Sequence, residues 1–148
     1  MTLILVADAA AAVLVLGLLA IGLLLARRRV LTRRGGTFDC SLRLREGSHG
    51  NGWVLGIGRY AGDALEWYRV FSYSMRPRRA LPRAGLQVLD RRSPTGIEAF
   101  SVLAGSVVVR LRDGDGADGR PVELAMSPDS LTGFLSWVES APPGVPRR

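Results

Sequence analysis

Arg76, Arg78, Arg79, Arg83, Arg91 and Arg92 are the side chains whose type and spacing point most directly to chemistry. The first four fall in one short stretch bracketed by Pro77 and Pro82, just after an aromatic segment, and the last two follow one strand later. Guanidiniums gathered this way would meet anions, either lipid phosphates or an acidic protein face. A basic residue near an anionic membrane adds about 1 kcal/mol of attraction, so four to six would matter. The competing reading is a solvated loop. All 20 basic residues are Arg, and with abundant Ala, Gly and Val this is the codon signature of a GC-rich genome. The choice of Arg over Lys therefore carries little information here.

Other reactive patterns fail on their context. Cys40 is the single cysteine and His49 the single histidine, a poor basis for a nucleophile and its base, and an intramolecular disulfide is impossible. Asp113-Gly-Asp115-Gly-Ala117-Asp118-Gly119 lacks the acid spacing of a calcium-binding EF-hand loop and fits a hairpin turn better. Gly56-Ile-Gly58-Arg-Tyr-Ala61 is a loose dinucleotide fingerprint, but a turn and another strand follow where a helix is required. The stretch 45–52, flanked by Arg43, Arg45 and Arg59, makes a poor phosphoinositide pocket. No cofactor, metal site or catalytic residue is expected, and the reading is of a protein that is not an enzyme.

What would position the arginines begins with the anchor. Residues 9–26 are uncharged and mostly apolar, and Arg27, Arg28, Arg29, Arg33 and Arg34 follow. At 1.5 Å per residue the apolar run covers about 27 Å, close to the hydrocarbon core of a bilayer. Basic residues lie only on its C-terminal side, which predicts an uncleaved single-pass anchor with the N-terminus outside and the rest in the cytoplasm, at the plasma membrane. Asp8 then sits at the outer headgroup level. The formal charge is +7, of which residues 1–34 supply five Arg and one Asp. The remainder is only weakly basic, so the high pI is no nucleic-acid signature.

Residues 1–29 thus form the anchor with its basic flank, 30–37 a linker, 38–140 one domain and 141–148 a disordered tail. Strand character is expected over 38–44, 53–60, 65–75, 85–92, 97–103, 106–112 and 120–126, with turns between. The last element is a helix. Ser127 caps it, Pro128 opens it, and Leu131, Phe134, Leu135 and Val138 fall on one face. Trp67 belongs to the core; Trp137 lies off the apolar stripe, open to a partner or packed on a rim. The expected fold is an N-terminal transmembrane helix plus a mainly-β domain, about seven antiparallel strands in a small barrel closed by one C-terminal helix. This layout resembles the pleckstrin-homology-like (GRAM-like) fold.

A closer resemblance rests on Gly52-Trp53, Gly58-Arg59-Tyr60, Trp67-Tyr68-Arg69, Arg76-Pro77, Arg91-Arg92 and the helix Leu131-Thr-Gly-Phe-Leu-Ser-Trp-Val-Glu-Ser140. With the anchor and its Arg run, these are similar to an actinobacterial single-pass membrane family called domain of unknown function 2550. The resemblance brings no catalytic residues. It implies an actinobacterial plasma-membrane protein and, because such genes often lie beside those of the ATP synthase, a link to energy-coupling complexes. Two expectations follow. One is a membrane-tethered binding module that meets anionic lipid or an acidic protein surface through its arginines. The other is an accessory or assembly factor of a membrane complex.

Overall fold

The computed structural model describes residues 1–33, 35–44, 52–114 and 121–140. Helix α1, Thr2–Arg33, is apolar over most of its length and long enough to cross a membrane. The basic flank and Val30–Arg33, expected as linker, continue the helix. It stops where Gly35 and Gly36 take positive φ (72° and 62°), a conformation that glycine adopts without Cβ strain.

Seven antiparallel strands follow: β1 Thr37–Arg43, β2 Trp53–Ala61, β3 Ala64–Arg69, β4 Arg79–Pro82, β5 Gln87–Arg92, β6 Val107–Arg112 and β7 Pro121–Met126. Their order in the sheet is β4-β3-β2-β1-β7-β6-β5. The sheet curls into a half-barrel. Period-two alternation sends Cys40, Leu42, Leu65, Trp67, Val109, Leu111, Leu124 and Met126 to its concave side. The closing helix is α3, Pro128–Glu139, which lays Leu131 and Phe134 into that core. Ser127 caps it by accepting from the Ser130 N–H. The convex side carries a smaller cluster of Val102, Val108 and Ala125 against Trp53.

Two elements differ from expectation. Residues 97–103 form a helical turn, α2 (Glu98–Ser101), and no strand. Its Glu98 is drawn onto Arg92 and Trp53, and its apolar side chains point outward. The Arg-rich loop instead contains β4, a four-residue edge strand paired with β3. An edge strand tolerates Pro82, because the N–H that proline lacks is not needed on the open side. The aromatic strand, expected through Met75, ends at Arg69.

Candidate functional site

Helix α1 and the β domain meet along one face of the helix. Ala20, Leu24, Arg27 and Leu31 are its covered residues, spaced four, three and four apart, and Leu31 is buried. Arg27 is the centre of this contact. Its Nε and Nη2 donate to the Ser74 carbonyl at 2.8 and 2.6 Å, and its Nη1 reaches the carbonyls of Arg69 and Val70 at 3.2 and 3.4 Å. Farther toward the N-terminus of α1, the Tyr73 hydroxyl lies 3.4 Å from the Ala20 carbonyl. The segment after β3 therefore leaves the sheet and runs along the helix. The sequence groups Arg27 with the basic flank of the apolar run. In the structure it is a clamp with its guanidinium turned onto the domain. The local signal was the apolar Leu31, four residues on in an otherwise basic stretch.

The remaining flank arginines face outward. Arg28 makes an exposed 3.5 Å ion pair with Asp39. Arg29 and Arg33 are exposed and pair with no carboxylate among the described residues. Arg34 lies outside them.

The six arginines of the candidate anion surface separate. Arg76 and Arg78 are exposed, follow directly on the clamped segment, and form no ion pair among the described residues. Arg79, in β4, reaches Asp113 at 3.7 Å across the mouth of the half-barrel. Arg83 stacks its guanidinium over Trp137, 5.4 Å from the ring centroid. Arg91 and Arg92 belong to β5, at the other edge of the sheet from β4. Arg91 is exposed, whereas Arg92 is drawn into an ion cluster. Trp137 packs on the rim: Tyr60 stacks near it at 5.1 Å and Phe134 at 6.3 Å.

That cluster lies on the convex face, and sequence reading missed it. Arg92 forks onto both carboxylate oxygens of Glu98 and reaches Glu123 at 3.3 Å. Arg43 binds Glu123 at 2.6 Å, and Trp53 Nε1 donates to Glu98 at 3.1 Å. The hydrogen bond from Arg92 chiefly holds the Glu98 carboxyl down to about 2. Two cations and two carboxylates balance, so the open cleft beside them, lined by Arg43, Arg92, Ser93, Thr95, Ile97 and Glu98, has little net charge to offer a ligand. A second convex-face group joins Glu66 to Arg59 and, at 2.6 Å, to the Tyr68 hydroxyl, whose hydrogen bond lowers the Glu66 carboxyl.

No three His, Cys, Asp or Glu side chains converge as metal ligands among the described residues. Cys40 is fully buried, and desolvation pushes its thiol up, away from the reactive thiolate. The glycines of the dinucleotide-like motif are packing positions. A Cβ on Gly56 would lie 2.2 Å from the Trp67 ring, and one on Gly58 2.7 Å from Phe38. His49 and most of the Asp-Gly turn, including Asp115 and Asp118, lie outside the described residues.

Fold and site together define one class of protein: a β half-barrel held against the basic end of a long apolar helix. The chain belongs to the protein family of unknown function DUF2550, whose family model matches residues 13–144. It is 38% identical over 137 residues to uncharacterized protein ML1147 of Mycobacterium leprae, covering 92% of each chain. It is likewise 38% identical over 136 residues to uncharacterized protein Rv1312 of Mycobacterium tuberculosis, covering 92% of this chain and 90% of that one.

Proposed function

We propose that this protein is a non-catalytic binding module, tethered to the plasma membrane by α1 with its β domain in the cytoplasm, and that it meets anionic lipid headgroups through arginines beside the anchor. The observation that supports this most is the Arg27 clamp. It ties the chain just before the exposed Arg76 and Arg78 to the end of the apolar run of α1, beyond which the exposed Arg29 and Arg33 follow. Four exposed guanidiniums with no carboxylate partner among the described residues, near the end of the apolar run, suit a surface of phosphates. Basic residues on that flank alone favour a cytoplasmic domain. The strand order and closing helix suit a pleckstrin-homology-like module, and we read the domain as one.

The test is thermal unfolding of the full-length chain in phosphatidylcholine vesicles with and without phosphatidylglycerol. Anionic vesicles should raise Tm at low salt, because a ligand that binds the folded state stabilises it. The gain should shrink at high salt and in the Arg76→Gln/Arg78→Gln variant. A Tm indifferent to lipid charge would overturn the reading.

A second reading is an accessory factor of a membrane complex such as the ATP synthase. It draws on the α2 turn, where Phe100 is 92% exposed next to the exposed Ile97 and Leu103. A photo-crosslinker at Phe100 in the native membrane would capture one dominant protein under this reading, and lipid or nothing otherwise.

A further inference from the structure

The structure assigns Phe71–Met75 as a second membrane contact: a loop that dips beside α1 into the lipid boundary and seats the domain on the bilayer. This rests on the reading that α1 crosses a membrane.

The segment is two-sided. Phe71, Tyr73 and Met75 point outward, exposed at 73%, 55% and 48%. Several of the polar groups between them are tied up within the protein. Arg27 takes the carbonyls of Arg69, Val70 and Ser74. The Ser72 N–H donates to the Val70 carbonyl, the Ser74 N–H to Ser72 Oγ, and the Arg76 N–H to Ser74 Oγ. Non-helical backbone is tolerated at membrane depth only where its polar groups find partners within the protein. This loop supplies partners for the carbonyls of Val70 and Ser74 and for the N–H groups of Ser72, Ser74 and Arg76, and presents apolar side chains to the outside. In water, the same arrangement would expose three large apolar side chains for no return in packing.

Its depth fits. The Tyr73 hydroxyl meets the Ala20 carbonyl, six residues inside the end of the apolar run at Ala26. At 1.5 Å per residue that is about 9 Å, within the roughly 5–10 Å that interfacial segments penetrate. Tyrosine suits that zone, with an apolar ring and a polar tip. The occupant is lipid because the surroundings are the anchor's own exposed face: Ile21, Leu23 and Leu25, in the same stretch of α1, are apolar and uncovered. Arg76 and Arg78, next along the chain, would then lie at headgroup level.

The experiment places a nitroxide at single introduced cysteines in the full-length chain, reconstituted in phosphatidylcholine–phosphatidylglycerol vesicles. Native Cys40 is fully buried and takes no label. Collisions with oxygen report lipid, and collisions with a water-soluble nickel chelate report solvent. Labels in the Phe71→Cys and Met75→Cys variants should collide with oxygen in preference to nickel, at a depth between those of labels in Leu18→Cys, inside the anchor, and Asp63→Cys, in the β2–β3 turn. A nickel-dominated signal at positions 71 and 75 with an oxygen-dominated one at 18 overturns the loop's insertion and leaves the anchor standing. A nickel-dominated signal at 18 removes the membrane-spanning reading itself. Labels at 71 and 75 shielded from both reagents would place a protein there instead of lipid, and also overturn the proposal.

Discussion

Arg27 and Ser74 are 47 residues apart in the chain, yet two nitrogens of one guanidinium bind one carbonyl oxygen at 2.8 and 2.6 Å. This contact makes the C-terminal end of α1 part of the domain. Leu31, buried one turn later, is core contributed by α1.

Arg27→Gln should therefore loosen the joint. Glutamine is too short to serve the carbonyls of Arg69, Val70 and Ser74 together, and hydrogen bonds to a charged group contribute about 1.5–3 kcal/mol. The expected outcome is a stability loss of roughly 2 kcal/mol, with amide exchange accelerated in 70–76 and unchanged in β6 and β7. Protection in 70–76 equal to that of the parent chain would show that the clamp is dispensable.

A second prediction concerns two glycines that differ in what lies above them. The Gly56→Ala methyl would sit 2.2 Å from Trp67, which is fully buried and fixed by an Nε1 hydrogen bond to the Cys40 carbonyl at 3.0 Å. The Gly58→Ala methyl would meet only the edge of Phe38, a half-buried ring with room to shift. Overpacking a rigid site costs about 1–3 kcal/mol. Gly56→Ala should reach or exceed the top of that range and Gly58→Ala stay near the bottom, as read from urea midpoints. Equal losses would mean that the two rings yield alike.

Local signals made much of this fold readable, and long-range ones hid the rest. The alternation in 38–44 and the apolar run in 106–112 match β1 and β6, whose Ser41 and Val108 are buried on the convex side as well, and α3 announces itself through Ser127, Pro128 and its apolar stripe. The strand count came out at seven through two offsetting errors. Ile97, Phe100 and Leu103 looked like strand residues, but they are apolar without being buried, and Glu98 between them is claimed by Arg92. β4 was hidden by Pro82 and its arginines, because a short edge strand needs neither a continuous apolar run nor every N–H. β-propensity through Tyr73 overran the true end of β3, since Arg27 claims the carbonyls of Val70 and Ser74 beyond it. Of the candidate site, clustering in sequence was legible, but proximity in space was not: Arg79 and Arg92 stand in consecutive strands, β4 and β5, that the topology places at opposite sheet edges.

The cap of α3 gives a smaller, cleaner test. Ser127 Oγ accepts from the Ser130 N–H at 3.2 Å, at the start of the helix that carries Phe134 into the core. Ser127→Ala should cost about 1 kcal/mol, while Ser127→Asp should hold stability near the parent value. A free alanine substitution would mean that Pro128 and core packing alone fix the helix start.

Acid should reveal the convex ion cluster. The Glu98 carboxyl lies at about 2 in the folded chain against an ordinary 4.5, first because Arg92 donates to it. A carboxylate depressed on folding adds stability that is complete above its ordinary value and is lost as pH falls toward the folded one. The contribution of Glu98 should therefore be full at pH 5 and above, decline between about 4.5 and 2, and vanish below. Glu98→Gln removes the charge from a side chain only 7% exposed and leaves Arg92 to share Glu123 with Arg43, so stability at pH 7 should drop by about 2 kcal/mol. The difference between parent and variant should then narrow steadily as pH is lowered through that window, in denaturant titrations at fixed ionic strength. A difference that is constant from pH 7 to 2.5 would assign the role of Glu98 to shape and its Trp53 hydrogen bond, with no part for its charge.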